Sequence, residues 1–320
     1  MRVLLIDADS VIPNIPLMKL SSYCKRFGHS VELVRVGLPY YPNRKKRQYV
    51  CPIGFDFYFC SVVFSGNKEY IKGDNIIFGG TGVDLTTVLP DEVDAEECDY
   101  SIYPDNDTSY GFITRGCIRN CFFCVVPKKE GMIRLENSID SIVRHKKTKF
   151  LDNNILAYPG HLSILEELVS KKIRCCFNQG LDIRLITSEN SKLLSKLNYM
   201  KEYVFAFDSW KYKEIIQNRL PLLRWAGDWR LKFFVYVHPD MPIRETVKRI
   251  VWLKEHKCLP YIMRDISCWG SKFNEFYIDI CAYCNQVHLF KKMLFGDFLL
   301  RRHCSVERIE RSLSLWNDAH

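Results

Sequence analysis

Short apolar segments alternate with helical ones along most of this chain. Residues 2–6 are an apolar run typical of a buried strand, residues 17–27 have helical spacing, and residues 30–36 alternate as a second strand does. Gly28 stands where the C-terminal cap of the helix belongs. A strand, a helix and a second strand in this order predict the start of a parallel sheet, because parallel neighbours need a crossover connection.

Two further strand-like runs follow, at residues 55–64 and 75–82, and the second ends in Gly79, Gly80 and Gly82. Glycines at the carboxyl ends of successive strands indicate an open α/β layer of roughly 100 residues. We therefore expect a first domain over residues 1–105. The acidic stretch over residues 90–107 indicates a linker or a short helix that crosses to the next domain.

The second half of the chain repeats the alternation, and each strand-like segment is followed by polar residues. The six segments are residues 110–114, 149–151, 173–177, 203–207, 231–237 and 260–263. Parallel barrels keep their active sites at the carboxyl ends of their strands. We expect a barrel domain over residues 106–267 and a C-terminal helical extension over residues 268–320, in which residues 274–293 form one helix.

One loop carries three cysteines in the spacing C-x3-C-x2-C: Cys117, Cys121 and Cys124. Thiolates select zinc or iron-sulfur clusters over hard cations. Structural zinc sites close with four ligands, whereas no fourth ligand stands beside this loop. A cubane cluster normally takes four cysteines, so three would leave one iron open to a substrate or cofactor.

With an aromatic residue before the last cysteine, Cys117, Cys121, Phe123 and Cys124 resemble the signature of the radical SAM enzymes. The resemblance implies a partial (β/α)6 barrel with a [4Fe-4S] cluster on the three cysteines. It also implies S-adenosylmethionine (SAM) on the open iron, cleaved by one electron to a 5'-deoxyadenosyl radical that abstracts hydrogen from a substrate. A reductant protein of the flavodoxin or ferredoxin type would supply the electron.

The resemblance also suggests residues that would contact SAM. Phe123 would bring adenine against the loop, and Arg184 would pair with the methionyl carboxylate. The other positions follow strand ends: Asp152, Asn153 and Asn154 for the amino group, and Gln179, Asp208 and Ser209 for the carboxylate or ribose. Each of these polar residues has the alternative role of satisfying nearby backbone.

The first domain resembles the Rossmann-like cobalamin-binding domain that precedes the barrel in many radical SAM enzymes. Ser61 and Gly79-Gly80 stand where that domain lines the nucleotide tail, but no histidine of a D-x-H-x-x-G signature follows the first strand. Cobalamin and a cobalamin-dependent methyltransferase therefore remain an alternative, beside tight turns made by the glycines.

A net charge of +9 favours anionic partners, so a nucleotide, a nucleic acid or another anionic substrate is expected. Candidate contacts are His161, His238, Lys128, Lys129 and Arg264.

Fourteen cysteines and no long apolar run indicate a reducing cytoplasmic compartment and no membrane segment. Another alternative is a non-catalytic, metal-stabilised nucleic-acid-binding protein. Five further cysteines either form a second metal site or are ordinary buried residues of the core: Cys258, Cys268, Cys281, Cys284 and Cys304.

Overall fold

The structure is a computed structural model that describes residues 1–40, 44–302 and 304–318. It is a mixed α/β fold with several parallel sheets. The strands of the described part are β1 (Arg2–Asp7), β2 (Ser30–Arg35), β3 (Tyr49–Val50), β4 (Phe57–Ser61), β5 (Ile71–Lys72), β6 (Ile76–Gly79), β7 (Thr108–Gly111), β8 (Thr114–Arg115), β9 (Arg134–Leu135), β10 (Lys147–Phe150), β11 (Arg174–Phe177), β12 (Asn198–Tyr199), β13 (Tyr203–Ala206), β14 (Leu231–Val237) and β15 (Leu259–Arg264).

The helices of the described part are short, and seven 3-10 turns lie between them. They are α1 (Ile15–Arg26), α2 (Asp91–Asp94), α3 (Val126–Lys129), α4 (Ile139–Ile142), α5 (His161–Ser170), α6 (Ser188–Leu194), α7 (Lys213–Arg219), α8 (Ile243–Glu255), α9 (Asn274–Cys284), α10 (Val287–Lys292), α11 (Phe295–Arg301) and α12 (Val306–Asn317). Within the described residues, no helix has the length and apolar character needed to cross a membrane.

The chain divides into two compact units. The first contains Met1–Phe112, Gly116–Met132 and Glu136–Thr148, and the second contains Ile113–Arg115, Ile133–Leu135 and the chain from Lys149 onward. The cysteine loop belongs to the first unit, and the strand-end residues predicted to contact SAM belong to the second.

The first unit is built on a four-stranded sheet in the order β2-β1-β4-β6, and all its neighbours are parallel. The central strand β1 is apolar over residues 3–6, where both of its faces are covered. Val3 and Leu5 pack with Leu17 and Cys24 of α1. Leu4, on the opposite face, packs in a second cluster that includes Leu38, Cys60, Val62 and Ile71.

Helix α1 begins at Ile15, two residues before the predicted segment, and ends at Arg26, with Gly28 following it as predicted. The side chain of Asn14 accepts a hydrogen bond from the Leu17 N–H, which caps the amino end. Gly28 has a φ of 75°, the left-handed conformation that closes a helix.

The second unit contains a parallel three-stranded sheet in the order β13-β14-β15, together with the parallel pair β11 and β12. An isolated parallel bridge between Leu181 and Phe205 joins the chain after β11 to β13. The buried rings of Phe205 and Phe233 pack in a tilted arrangement with their centroids 5.6 Å apart, and α8 packs on β14 and β15.

Two predicted strands end before their apolar runs do. In each case a carboxylate accepts hydrogen bonds from backbone N–H groups that would otherwise extend the strand. The run 55–64 stops at Ser61, since the Asp9 carboxylate accepts the N–H groups of Val63 and Phe64 at 2.8 and 3.0 Å. The predicted strand 110–114 is divided into β7 and β8. Between them, Asp152 takes the N–H groups of Ile113 and Thr114.

The single helix expected over residues 274–293 is wrong: it is two helices, α9 and α10. The break falls at Asn285, whose Oδ1 accepts the Ile262 N–H at 2.7 Å and whose Nδ2 donates to the Ile262 carbonyl at 3.2 Å. These bonds fix the end of α9 against β15. The predicted C-terminal extension runs to residues 319 and 320, which lie outside the described residues.

Candidate functional site

The cysteine loop is pinned at its base by backbone contacts. The Cys117 N–H donates to the Gly131 carbonyl at 3.1 Å. Gly116 has a φ of 85°, and a Cβ built on it would overlap the carbonyl oxygen of Met132. Only glycine combines this conformation with this close approach, so the loop returns tightly to its own start.

The three loop cysteines are all partly accessible rather than buried in the core. The Arg119 N–H donates to the Cys117 sulfur at 3.3 Å, and the Cys124 N–H donates to the Cys121 carbonyl at 3.0 Å. In the described part of the chain, no set of three or more Cys, His, Asp or Glu side chains is gathered closely enough to hold a metal ion.

The chemistry of the donor set nevertheless fits a [4Fe-4S] cluster. Thiols are the ligands that iron-sulfur clusters take, and three of them lie on one accessible loop. Cys117, Cys121 and Cys124 are the residues that would hold the cluster.

Phe123 lies within this loop and is partly buried. Its ring packs edge-on against the ring of Phe122, with the centroids 5.2 Å apart. Phe122 is 74% exposed. The loop therefore presents aromatic surface beside the cysteines, as an adenine contact requires.

Asp152 has a different surrounding from the one that the resemblance implies. Its side chain is fully buried, and its Oδ1 accepts the hydroxyl of Thr114 at 2.8 Å besides the two N–H groups described above. Burial raises the pKa of Asp152 to about 6. Its oxygens thus hold the segment Ile113–Arg115 onto the end of β10.

The neighbouring predicted residues differ in exposure. Asn153 is partly buried, whereas Asn154 is 4% exposed and precedes a 3-10 turn over Ile155–Ala157. Gln179 is exposed in the turn after β11. That turn approaches β13 closely, because Gly180 has a φ of 89° and the Leu181 N–H donates to the Val204 carbonyl at 2.7 Å.

Arg184 is engaged within its own turn. Its Nε and Nη2 donate to the two oxygens of Asp182 at 2.6 and 2.9 Å, and its guanidinium lies 4.6 Å from the ring centre of Tyr212. The bidentate pair predicted for the SAM carboxylate is therefore made inside the chain, with Asp182. The sequence reading did not single out Asp182, although its position two residues from Arg184 is a local signal.

Asp208 and Ser209 follow β13 at the same strand end. Burial raises the pKa of Asp208, and the N–H of Tyr236 donates to its Oδ1 at 3.3 Å. The positive charges of Arg249 and Arg184 oppose the effect of burial and lower the pKa of this carboxyl group. Ser209 is partly buried and precedes a 3-10 turn that its hydroxyl does not cap.

Arg249 is a second residue that the sequence reading missed. It is fully buried on α8 and donates from Nη1 to the carbonyls of Phe207 and Tyr236, at 2.8 and 3.1 Å. Burial lowers its pKa to about 10. The only sequence signal was a basic residue on the apolar face of α8. It joins the carboxyl ends of β13 and β14 and so fixes the position of Asp208.

In the first unit, the carboxyl edge of the sheet is filled by its own polar side chains. The Ser61 hydroxyl accepts a hydrogen bond from Asn14 Nδ2 at 2.8 Å, and Asn67 Nδ2 donates to Asp9 at 2.8 Å. A Cβ on Gly80 would overlap the Val62 carbonyl. These residues do not fit a cobalamin tail, since Ser61 is engaged and the glycine serves a backbone contact.

The residues expected to contact an anion lie on different elements of the two units. His161 is held by Tyr158, with Nδ1 2.8 Å from its carbonyl oxygen, and Lys128 and Lys129 form the last turn of α3. His238 directly follows β14, and Arg264 is the last residue of the adjacent strand β15. Only this last pair lies together at one strand end.

The other cysteines are mostly core residues. Cys258, Cys268 and Cys284 are at most 2% exposed, and Cys281 lies beside Asn285 with its sulfur 3.3 Å from Nδ2. Burial raises the pKa of Cys258 to about 12 and of Cys268 to about 11. These thiols stay protonated near neutral pH, which is the behaviour of small apolar side chains.

No known family model and no curated protein matches this chain.

Proposed function

We propose that this protein is a radical SAM enzyme that acts on an anionic substrate. The observation that carries the proposal is the loop of Cys117, Cys121, Phe123 and Cys124, whose accessible thiols and pinned backbone suit a cluster with one open iron. When bound there, the cluster supplies the electron for reductive cleavage of the SAM sulfonium.

The arrangement of the strands supports a partial (β/α)6 barrel as the fold of residues 106–267. Within the second unit, the chain that follows β11 is joined to β13 by the isolated parallel bridge Leu181–Phe205, and β13, β14 and β15 are neighbours in one parallel sheet. The order β2-β1-β4-β6 supports a Rossmann-like layer as the fold of residues 1–105.

The chain's own residues would bind and orient SAM. Phe123 offers its ring to adenine within the cysteine loop of the first unit. Within the second unit, Asn153, Gln179 and Ser209 are polar residues at strand ends. Asp152, Arg184 and Asp208 would act without contacting SAM directly. Asp152 holds the segment that precedes the cysteine loop in sequence, and the Arg184–Asp182 ion pair sets the charge beside Asp208.

The test is anaerobic reconstitution with iron and sulfide, followed by addition of a strong reductant and SAM. We expect 5'-deoxyadenosine from the wild type and none from a variant in which Cys117, Cys121 and Cys124 are all alanine. Because the three side chains are only partly buried, the variant keeps its fold, which circular dichroism would verify.

A matched control replaces two core cysteines, Cys175→Ala and Cys258→Ala, which leaves the loop untouched and should retain cleavage. Cleavage that survives in the triple loop variant would contradict the assignment. Zinc rather than iron in the purified protein would favour the metal-stabilised nucleic-acid-binding alternative.

A further inference from the structure

An open cavity of about 320 Å³ lies in the second unit, beside the end of α8. Cavities that hold small ligands in proteins begin at about this size. Its walls come from three segments of the chain. These are the 3-10 turn Leu220–Ala226 with the two residues after it, the start of β14, and the end of α8 with the residues up to Cys258.

The cavity lies at the amino ends of the strands, whereas the strand-end residues assigned to SAM follow carboxyl ends. Leu231, the first residue of β14, lines the cavity, and so does Cys258, which directly precedes β15. Strand β14 has 7 residues, so its carboxyl end at Val237 is about 20 Å away at the rise of a strand. A ligand in this cavity is therefore separate from one bound at the carboxyl ends.

A backbone contact holds two of the walls together. Lys257, after α8, and Trp229, before β14, both have left-handed backbones, with φ of 53° and 63°. The Trp229 N–H donates to the Lys257 carbonyl at 2.7 Å. This bond fixes the residues that follow α8 against the turn that leads into β14, so the cavity between them is a built part of the fold.

The charged residues around the cavity divide into a neutralised pair and two unpaired groups. Lys257 Nζ lies 2.7 Å from Asp228 Oδ2, so these two charges compensate each other. Arg224 and Glu255 also line the cavity and are exposed, and neither forms an ion pair with another described residue. The cavity thus offers a ligand one positive and one negative charge.

His256 adds a hydrogen-bond acceptor next to Glu255 in the lining. Its ring stacks on the ring of Trp252, with the centroids 3.9 Å apart, and its Nδ1 lies 2.8 Å from the Trp252 carbonyl oxygen. A carbonyl oxygen only accepts, so Nδ1 carries the hydrogen and Nε2 of the neutral ring is an acceptor. The carboxylate, this nitrogen and the negative end of the α8 dipole all favour an ammonium group at this wall.

We propose that this cavity binds a free amino acid with an apolar side chain. Arg224 pairs with the carboxylate of the ligand, and Glu255 and His256 accept hydrogen bonds from its ammonium group. Leu220 and Leu231 supply apolar lining for its side chain. A simple anion or a simple cation would leave one of the two charges without a partner, whereas an amino acid satisfies both.

The test uses the full-length, iron-free protein and records binding heat and thermal unfolding with matched probes. L-Leucine carries both charges, 4-methylpentanoate lacks its ammonium group and 3-methylbutylamine lacks its carboxylate, while L-phenylalanine tests a larger side chain. We expect one of the two amino acids to raise the melting temperature. Leucine should bind at least about tenfold more tightly than either single-charge probe, because each of those loses a charge-assisted bond.

Variants assign the two charges. Arg224→Gln should weaken leucine binding about tenfold and leave the binding of 3-methylbutylamine unchanged, and Glu255→Gln should weaken leucine binding and leave 4-methylpentanoate unchanged. Both side chains are exposed, so the variants keep the fold, which circular dichroism verifies. Arg244→Gln, at an exposed arginine in the first turn of α8, is the control and should bind leucine as the wild type does.

The inference is overturned if neither amino acid binds at millimolar concentration, if leucine binds no better than the single-charge probes, or if Arg224→Gln binds leucine as the wild type does. The cavity includes none of the residues assigned to SAM or to the cluster. Amino acid binding that depends on Arg224 in a protein that never cleaves SAM would therefore support this site and reject the proposed enzyme class.

Discussion

At the scale of single residues, the site departs from its sequence prediction through side chains that satisfy the chain itself. Asp152 bonds to Thr114, and Arg184 bonds to Asp182. Both residues were predicted as direct SAM contacts, and the resemblance alone gave no sign of these partners. The pairing of Asp152 is a tertiary property, because its partner Thr114 lies 38 residues away in sequence, whereas Arg184 pairs locally, with a residue two positions away.

Gly116 and Gly131 offer a matched test of the loop. Both have positive φ, 85° and 71°, but only Gly116 has atoms in the space of a Cβ. We expect Gly116→Ala to destabilise the protein by more than the about 1–2 kcal/mol that a left-handed alanine costs and to lower the iron retained after anaerobic reconstitution.

Gly131→Ala should show only the conformational cost and should retain iron as the wild type does. Thermal unfolding and iron per chain measure both effects. Equal behaviour of the two variants would mean that the close approach to Met132 is unimportant for the loop.

At the scale of elements, helices α9 and α12 are joined through one carboxylate. Asp279 is fully buried and accepts hydrogen bonds from Arg302 at 2.9 Å, from Arg308 at 2.6 Å and from the Ser312 hydroxyl at 2.9 Å. Nothing in the helical spacing predicts this network, since its members lie 23 to 33 residues from Asp279.

We expect Asp279→Ala to lower the free energy of unfolding by about 3 kcal/mol, because removing one partner from a buried ion pair leaves the others uncompensated. Glu275→Ala is the control: it breaks the pair with Arg311, whose side chain is 64% exposed, and should cost less than about 1 kcal/mol. Urea unfolding at pH 7 measures both, and similar losses would contradict the role of burial.

At the scale of the whole molecule, the fourteen cysteines divide into accessible and buried thiols. The loop cysteines are partly accessible, whereas Cys60, Cys175 and Cys258 are at most 2% exposed. Burial raises the pKa of each of these three core thiols to about 12. The spacing of cysteines in the sequence identified the loop, but only the packing separates the others.

We expect iodoacetamide at pH 8 to alkylate Cys117, Cys121 and Cys124 of the iron-free protein roughly a hundredfold faster than the three core thiols, because the thiolate is the nucleophile. Peptide mass spectrometry over a time course measures the rates. Reconstitution with iron should slow the loop cysteines and leave the core rates unchanged. Core thiols that react as fast as the loop would contradict the burial.

The sequence by itself determined the strand and helix alternation, the cap of α1 and the cysteine loop, because periodicity, capping residues and ligand spacing are local properties. Tertiary structure decided where β4 and β7 end, where α9 breaks and which polar residues remain available for a ligand. The physical reason is the same in each case. A buried carboxylate, amide or guanidinium must find partners, and those partners come from segments distant in sequence that only the folded chain brings close.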